Sequence, residues 1–320
     1  MGDARFAHRT YRLERLDAVA STNTMVKDAI RAGEPEGLVV GALRQTAGYG
    51  RQGRTWESPY GGLYQSFLLR PHVPASDMPT VALMAALAVR DAMTGLLDSM
   101  QGDDADAQMP FAIAATADSP AKTIQVKWPN DVVRVDARGD ELDAAASSDA
   151  SDGNSDMVPD TRDDKLRKLC GISSEAVGGA LCIGIGVNVF VPQNAIEFQG
   201  KNAPAYLSDY FENAPHLVSP EGLSEGQRIV LATLSELLAT CLFARYEQWR
   251  SGGFLSLASE YRACSALVGA LVDIVSLSGA PLASGVVHGI DDEGRLLLVE
   301  KSGMLHAVSS GEAHIKRIGD

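Results

Sequence analysis

The sequence predicts an α/β domain followed by a small all-β unit. Three observations carry this reading. Short segments rich in β-branched residues and bounded by Gly or Asn alternate with helical patterns up to Val189. Leu, Ile and Val then recur at three- and four-residue steps from Ser224 to Arg250, the period of a long helix. From residue 265 onward only short strands remain, separated by Gly-bearing turns, which suggests a small β-barrel. The division is therefore 1–264 and 265–320.

Each element has its own signal. Tyr11–Val19 ("YRLERLDAV") alternates like a strand, and Ser21 or Thr22 then caps a helix, "NTMVKDAIRA", that stops at Gly33. Leu38–Leu43 is a strand running into a glycine- and arginine-rich loop, and Leu63–Arg70 is the strand that leaves it. Pro79 suits the first turn of a helix reaching about Leu97, whose run "VALMAALAV" points to burial on most sides. "TIQVKW", "DVVRV", "LCGISSEAV" and "GALCIGIGVNV" read as four further strands. A shorter helix over Phe254–Cys264 follows the long one, and "DDEG" (Asp291–Gly294) is a hairpin turn.

Composition bounds the rest. A chain of 320 residues that is 45% hydrophobic can bury a sizeable core. No apolar run reaches the roughly 18 residues of a membrane span, and the start "MGDARFAHRTYRLERL" lacks an apolar signal core, so a cytoplasmic location off the membrane is expected. The four cysteines, Cys170, Cys182, Cys241 and Cys264, form no CxxC pair and read as buried reduced thiols. The formal charge of −13 is confined to two places: ten acids against two bases between Asp136 and Asp164, and five acids against none between Asp98 and Asp118. Both run to Ala, Ser, Asp and Gly, so the regions near 98–120 and 136–165 read as solvated insertions. The remainder is neutral, which gives no support to a general nucleic-acid-binding face.

The loop "QTAGYGRQGRTW" (Gln45–Trp56) suits an anion, since glycines let backbone approach a ligand and arginines offer planar donor forks. A solvated turn would look similar. Three other segments stand out: "VASTN" (Val19–Asn23), "KWPND" (Lys127–Asp131), and "KLCGISSE" (Lys168–Glu175) with "GIGVN" (Gly184–Asn188). Each has a plainer reading, respectively as a helix cap, a turn between strands, and a closely packed strand end, with Lys168 simply solvated.

Taken in order, these segments resemble the biotin protein ligases. The resemblance runs from about Val19 to Asn188, interrupted by the two insertions, and resumes in the C-terminal unit. It implies a mixed-sheet catalytic domain of the biotin/lipoate ligase type with an SH3-like C-terminal β-barrel. It also implies an ATP- and Mg²⁺-dependent enzyme that makes biotinyl-5′-AMP and passes biotin to a lysine of a biotin carboxyl carrier domain. By that resemblance Ser21, Thr22, Asn23 and Gln45 contact the ureido end of biotin. Gly48, Tyr49, Gly50 and Arg51 fold over biotin and the adenylate, with Arg51 beside the phosphate. Lys168 reaches the carboxylate and α-phosphate, while Gly171 and Ile172 line the biotin tail. Arg54, Trp56, Lys127, Asn130, Asp131 and Asn188 fall on the nucleotide side, with Asp131 the Mg²⁺ ligand. Lys168 and Arg51 are the expected catalytic pair.

One position departs from the pattern. Where the family commonly has Gly-Arg-Gly-Arg, this chain has Gly48-Tyr49-Gly50-Arg51, so the first arginine is replaced by a ring that can stack but adds no charge. Alternatives are a lipoate or other acyl-protein ligase of the same fold, and a non-catalytic biotin-binding module. Some family members carry an N-terminal helix-turn-helix. Only about twenty residues precede Ser21 here, and they do not read as a helical pair, so direct DNA binding is not expected.

Overall fold

The computed structural model describes residues 11–101, 109–114, 119–136, 166–193, 203–212, 217–219, 222–276 and 278–315. Most of both acidic segments, 102–108, 115–118 and 137–165, lies outside the described residues, and so does the expectation that they are solvated insertions.

The elements follow in chain order. They begin with β1 (Arg12–Val19), α1 (Thr22–Arg31), β2 (Leu38–Gln45), β3 (Gly62–Leu69) and α2 (Val81–Asp98). Next come the two-residue β4 (Ala112–Ile113), the short α3 (Pro120–Thr123), β5 (Ile124–Lys127), β6 (Asp131–Val135), β7 (Leu166–Val177) and β8 (Ala180–Asn188). After β9 (Phe211–Glu212) run the helices α4 (Glu225–Gly252) and α5 (Leu255–Ala263). The chain closes with β10 (Leu271–Val275), β11 (Pro281–Ile290), β12 (Leu296–Val299), β13 (Leu305–Val308) and β14 (Glu312–Ile315).

The large sheet has seven strands in the order β1-β2-β3-β8-β7-β6-β5. Only the β1–β2 pair is parallel, so the sheet is mixed. Successive side chains of a strand face opposite ways. Phe67 and Val39 accordingly join one core with Met84, Leu87, Met93, Leu234 and Leu238 of α2 and α4, while Leu68 and Val40 join the other with Val26 and Ile30 of α1. The sheet is thus the middle layer between α2 and α4 on one face and α1 on the other.

Local chemistry sets the helix ends. Ser21, extended at φ −160°, accepts a hydrogen bond from the Thr24 amide, and Gly33 at φ 81° ends α1. Ser224 and Gln227 cap α4 reciprocally. One expectation needs correction: α2 with its leading turn (Met78–Asp98) and α4 are each long and apolar enough, by length and composition, to cross a membrane. Their apolar residues are instead placed in the protein core, with Leu83 to Val89 of α2 buried almost completely.

The C-terminal strands form an antiparallel sheet ordered β13-β12-β11-β10-β14. Its predicted Asp291–Gly294 turn is built by the Asp291 carboxylate, which accepts from the Glu293 and Arg295 amides at 3.0 and 2.9 Å. Gly294 packs against Thr80 and Leu83, and its carbonyl accepts from Trp128 Nε1 at 3.2 Å. The C-terminal sheet therefore docks onto the first domain at the β5–β6 turn.

The position of the site follows from lengths. An α-helix rises about 1.5 Å per residue and a strand about 3.3 Å. The ten-residue α1 therefore covers only part of the face presented by the eight- and nine-residue strands β3 and β8. From the first turn of α1 outward that face carries Ser66, Gly184 and Gly186, whose small side chains leave room for a cleft.

Candidate functional site

A cleft of about 1280 Å³ runs across this uncovered face, bordered by α1, the loop after β2, the β5–β6 turn, β7, β8 and β14. One end is polar and uncharged. The Thr22 amide and hydroxyl both donate to Gln45 Oε1, at 2.9 and 3.1 Å, and Gln45 Nε2 donates to Ser58 Oγ at 3.0 Å. Ser66, fully buried on β3, lies 2.7 Å from both Thr22 Oγ1 and Asn23 Oδ1, and Asn23 Nδ2 donates to Ser173 Oγ at 3.3 Å. This corner requires Gly184, because a Cβ there would fall 2.1 Å from Asn23 Oδ1.

The other end is charged. Lys168 Nζ on β7 donates to Asp131 Oδ1 at 2.7 Å, with the two side chains 20% and 15% exposed, and lies 5.2 Å from the Trp56 ring centroid. Arg51 donates to Asn130 Oδ1 at 2.7 Å, and Asn130 Nδ2 donates to the Ile172 carbonyl at 2.7 Å. Asn188 Nδ2 holds the Lys168 carbonyl at 3.0 Å. Asn130 and Asp131 are set by the turn between β5 and β6, which contains a cis Trp128–Pro129 bond. Beneath this end, burial raises the Cys170 thiol pKa so far that it stays protonated.

The glycine and arginine loop crosses the cleft as a small hairpin. Trp56 N donates to Gly48 O at 3.0 Å and Gly50 N to Arg54 O at 2.8 Å, with Gln52 and Gly53 left-handed at φ 57° and 71°. Gly48 is packed so tightly that a Cβ would meet Ser58 Oγ at 2.3 Å. Trp56 lies over Gly171 and Gly186, where any Cβ would come within 3.0 Å and 2.6 Å of its indole. Arg54 reaches Glu312 of β14 at 2.7 Å, joining the loop to the C-terminal sheet.

Fifteen of the seventeen predicted site residues line this cleft: Thr22, Asn23, Gln45, Tyr49, Gly50, Arg51, Arg54, Trp56, Lys127, Asn130, Asp131, Lys168, Gly171, Ile172 and Asn188. Ser21 and Gly48 lie behind it, the first as the α1 cap and the second as the packed base of the loop. Lys168 is not simply solvated, because it is ion-paired, and Lys127 is buried at 5% exposure. The sequence reading missed Ser58, Ser66, Ser173 and Glu312. A serine inside the otherwise apolar strand "LYQSFLL" was a usable signal for Ser66, whereas nothing local marks Glu312.

The comparisons with known proteins give the family. The biotin/lipoate A/B protein ligase family matches residues 16–189, and the biotin protein ligase C-terminal domain matches residues 274–315. The chain belongs to the biotin/lipoate A/B protein ligase family. It is 29% identical over 307 residues to the biotin–acetyl-CoA-carboxylase ligase of Mycobacterium tuberculosis, covering 93% of this chain and 88% of that protein. It is 26% identical over 289 residues to the bifunctional ligase/repressor BirA of Bacillus spizizenii, covering 90% and 69%. In fold it is similar to the biotin protein ligase of Aquifex aeolicus in complex with biotin and ATP, with a TM-score of 0.61, 22% identity, and coverage of 96% of this chain and 99% of that one.

Proposed function

We propose that this protein activates biotin with ATP as biotinyl-5′-AMP and transfers biotin to a lysine of a biotin carboxyl carrier domain. The observation that carries the reading is the division of one cleft into an uncharged hydrogen-bonding end and a cationic end. A ureido ring offers one carbonyl and two N–H groups, which the hydroxyls and amides of Thr22, Asn23 and Gln45 match without charge. Gly171 and Ile172 take the aliphatic tail, and the carboxylate meets Lys168 and Arg51. Arg54, Trp56, Lys127, Asn130, Asp131 and Asn188 form the nucleotide side. In this reading residues 1–264 hold both ligands and residues 265–320 border the nucleotide through Glu312. In this reading the reaction takes place in the cytoplasm, where ATP is available.

The chemistry follows from charge. The biotin carboxylate attacks the α-phosphorus of ATP and pyrophosphate leaves, so two anions must be brought together. Lys168 and Arg51 offset that repulsion and stabilise charge developing in the transition state. Alignment along one cleft contributes as well, since positioned reactants gain roughly 7 to 11 kcal/mol over free encounter. In the second step a neutral carrier lysine attacks the carbonyl of the mixed anhydride and AMP leaves. Among the described residues no cluster of three acidic, His or Cys side chains forms a resident metal site. Asp131, whose Oδ1 accepts from Lys168, would hold Mg²⁺ that arrives with the nucleotide, an ion that leans on one or two carboxylates and phosphate oxygens. Bound there, it supplies charge neutralisation on the phosphates.

The test is incubation with ATP, a carrier domain, and biotin, lipoate or octanoate in parallel. Biotin-dependent pyrophosphate release and a biotinylated carrier lysine are expected. Turnover with lipoate or octanoate alone would reassign the acyl group, and biotin binding without pyrophosphate release would leave a non-catalytic binding module.

A further inference from the structure

We propose that Lys27 of α1 anchors the glycine and arginine loop over the cleft by holding the ring of Tyr49 against its ammonium group. Lys27 stands one helical turn beyond Asn23, is 17% exposed, and does not line the cleft, so it is not a ligand contact. Its Nζ donates to Glu175 Oε2 of β7 at 2.9 Å and lies 4.9 Å from the Tyr49 ring centroid. Glu175 fixes the lysine and the ring covers it, so the aromatic face, whose quadrupole attracts a cation, is what the loop contributes. The Tyr49 hydroxyl is buried beside the same ammonium group, so ring and hydroxyl both face Lys27.

The loop's other cation–aromatic contact, Trp56 with Lys168, uses a lysine that lines the cleft, and its ion-pair and amide anchors are of a different kind. Arg54 is 59% exposed at its contact with Glu312, and solvent-exposed pairs contribute little. Arg51 holds the neutral Asn130 amide and is the group assigned to the phosphate, so ligand draws on it. Tyr49 on Lys27 is the anchor whose partner lies outside the cleft and is not consumed by binding. Position 49 thus has a purpose that needs no charge of its own, because the cation comes from α1. Lys27 is a positioning residue, and its effect on ligand retention rests on the reading of the cleft given above. The anchoring itself does not.

Two measurements separate these. Limited trypsin digestion of the full chain, read by mass spectrometry, follows cleavage after Arg51 and Arg54. Lys27→Met should raise that cleavage about 3- to 10-fold while leaving cleavage elsewhere in the chain unchanged, as expected for loss of a partly buried cation–aromatic contact. Lys27→Arg should be cut after Arg51 and Arg54 at the wild-type rate. Tyr49→Ala should match Lys27→Met, and the double variant should be no faster than either. The off-rate of labelled biotin should rise by a similar factor in Lys27→Met. Wild-type cleavage in Lys27→Met, additive single effects, or a fall in Tm with cleavage throughout the chain would each overturn the proposal. Failure of the wild type to bind biotin would instead overturn the reading of the cleft, with the digestion result standing.

Discussion

Gly184→Ala puts one methyl group into the polar end of the cleft. Its Cβ would lie 2.1 Å from Asn23 Oδ1, 2.7 Å from Asn23 Nδ2 and 2.7 Å from Ser173 Oγ, so the Asn23 amide must move. Moving it breaks the 2.7 Å contact with Ser66 and the 3.3 Å contact with Ser173. Two hydrogen bonds at a net of about 1 kcal/mol each, plus strain of about 1 kcal/mol from overpacking, give a destabilisation of about 3 kcal/mol. At the upper end of the size range for which scaling is established, that lowers Tm by about 6–12 °C. If Asn23 contacts biotin, affinity falls further, by about 5- to 30-fold for one or two neutral hydrogen bonds. The assay is calorimetric titration with biotin at a temperature where the variant stays folded, alongside a melting curve. Gly41→Ala is the control: its Cβ would meet nothing closer than 3.7 Å, so both quantities should hold. A Gly184→Ala protein with lowered Tm and wild-type biotin affinity would refute the assignment of Asn23 to the ligand.

Three further outcomes are expected. Lys168→Ala and Arg51→Ala should each slow pyrophosphate release by about 10²- to 10³-fold with the fold intact, and Lys168→Ala should be the worse; normal release from either removes it from the catalytic pair. Replacing residues 137–165 with a short Gly/Ser linker should leave Tm and biotin transfer nearly unchanged. Val135 and Leu166 already pair across β6 and β7, and loop length costs only about 0.6 kcal/mol per doubling, so a large loss of transfer would show that the segment touches substrate or carrier. Burial pushes the Cys182 thiol up to about 12 and the Cys241 thiol up to about 11, so their thiolates form only as pH rises into that range. Native protein at pH 8 should therefore react slowly with a thiol reagent at these two cysteines and quickly once denatured; fast native reaction would contradict the packing of β8 and α4.

The fold was largely legible because its signals are local. Ser21 was readable as a cap from its own neighbours, the period of α4 began at Ser224, and β6 was bounded by Asp131 and Val135 as the β-branched run suggested. The site was legible where several motifs occurred in a fixed order, which is why Arg51, Asn130, Asp131 and Lys168 were found although they come from three separate segments. What was hidden depends on distance along the chain. Glu312 lies 258 residues from the arginine it holds, and Glu175 lies 148 residues from Lys27. Lysines defaulted to solvent in the sequence reading, yet Lys127 is covered at the β5–β6 turn and Lys168 is held by a carboxylate. A helix period shows that Lys27 is off the apolar stripe, but not that a tyrosine from the next loop lies over it.

The two cations assigned to the proposed reaction are held by different partners, and in that reaction the difference sets their roles. Lys168 sits on a carboxylate, whereas Arg51 sits on a neutral amide oxygen. Hydrogen bonds to ionised partners are roughly twice as strong as neutral ones, so Arg51 exchanges its partner for a phosphate more readily than Lys168 leaves Asp131. Lys168 therefore stays in place and shares its charge between Asp131 and the incoming carboxylate, while Arg51 is recruited as negative charge builds. Removing Arg51 deletes one recruited charge and leaves a neutral amide behind. Removing Lys168 deletes a fixed charge and also leaves Asp131, 15% exposed, without its cation in the path of two anionic substrates. The larger defect belongs to Lys168→Ala for that reason.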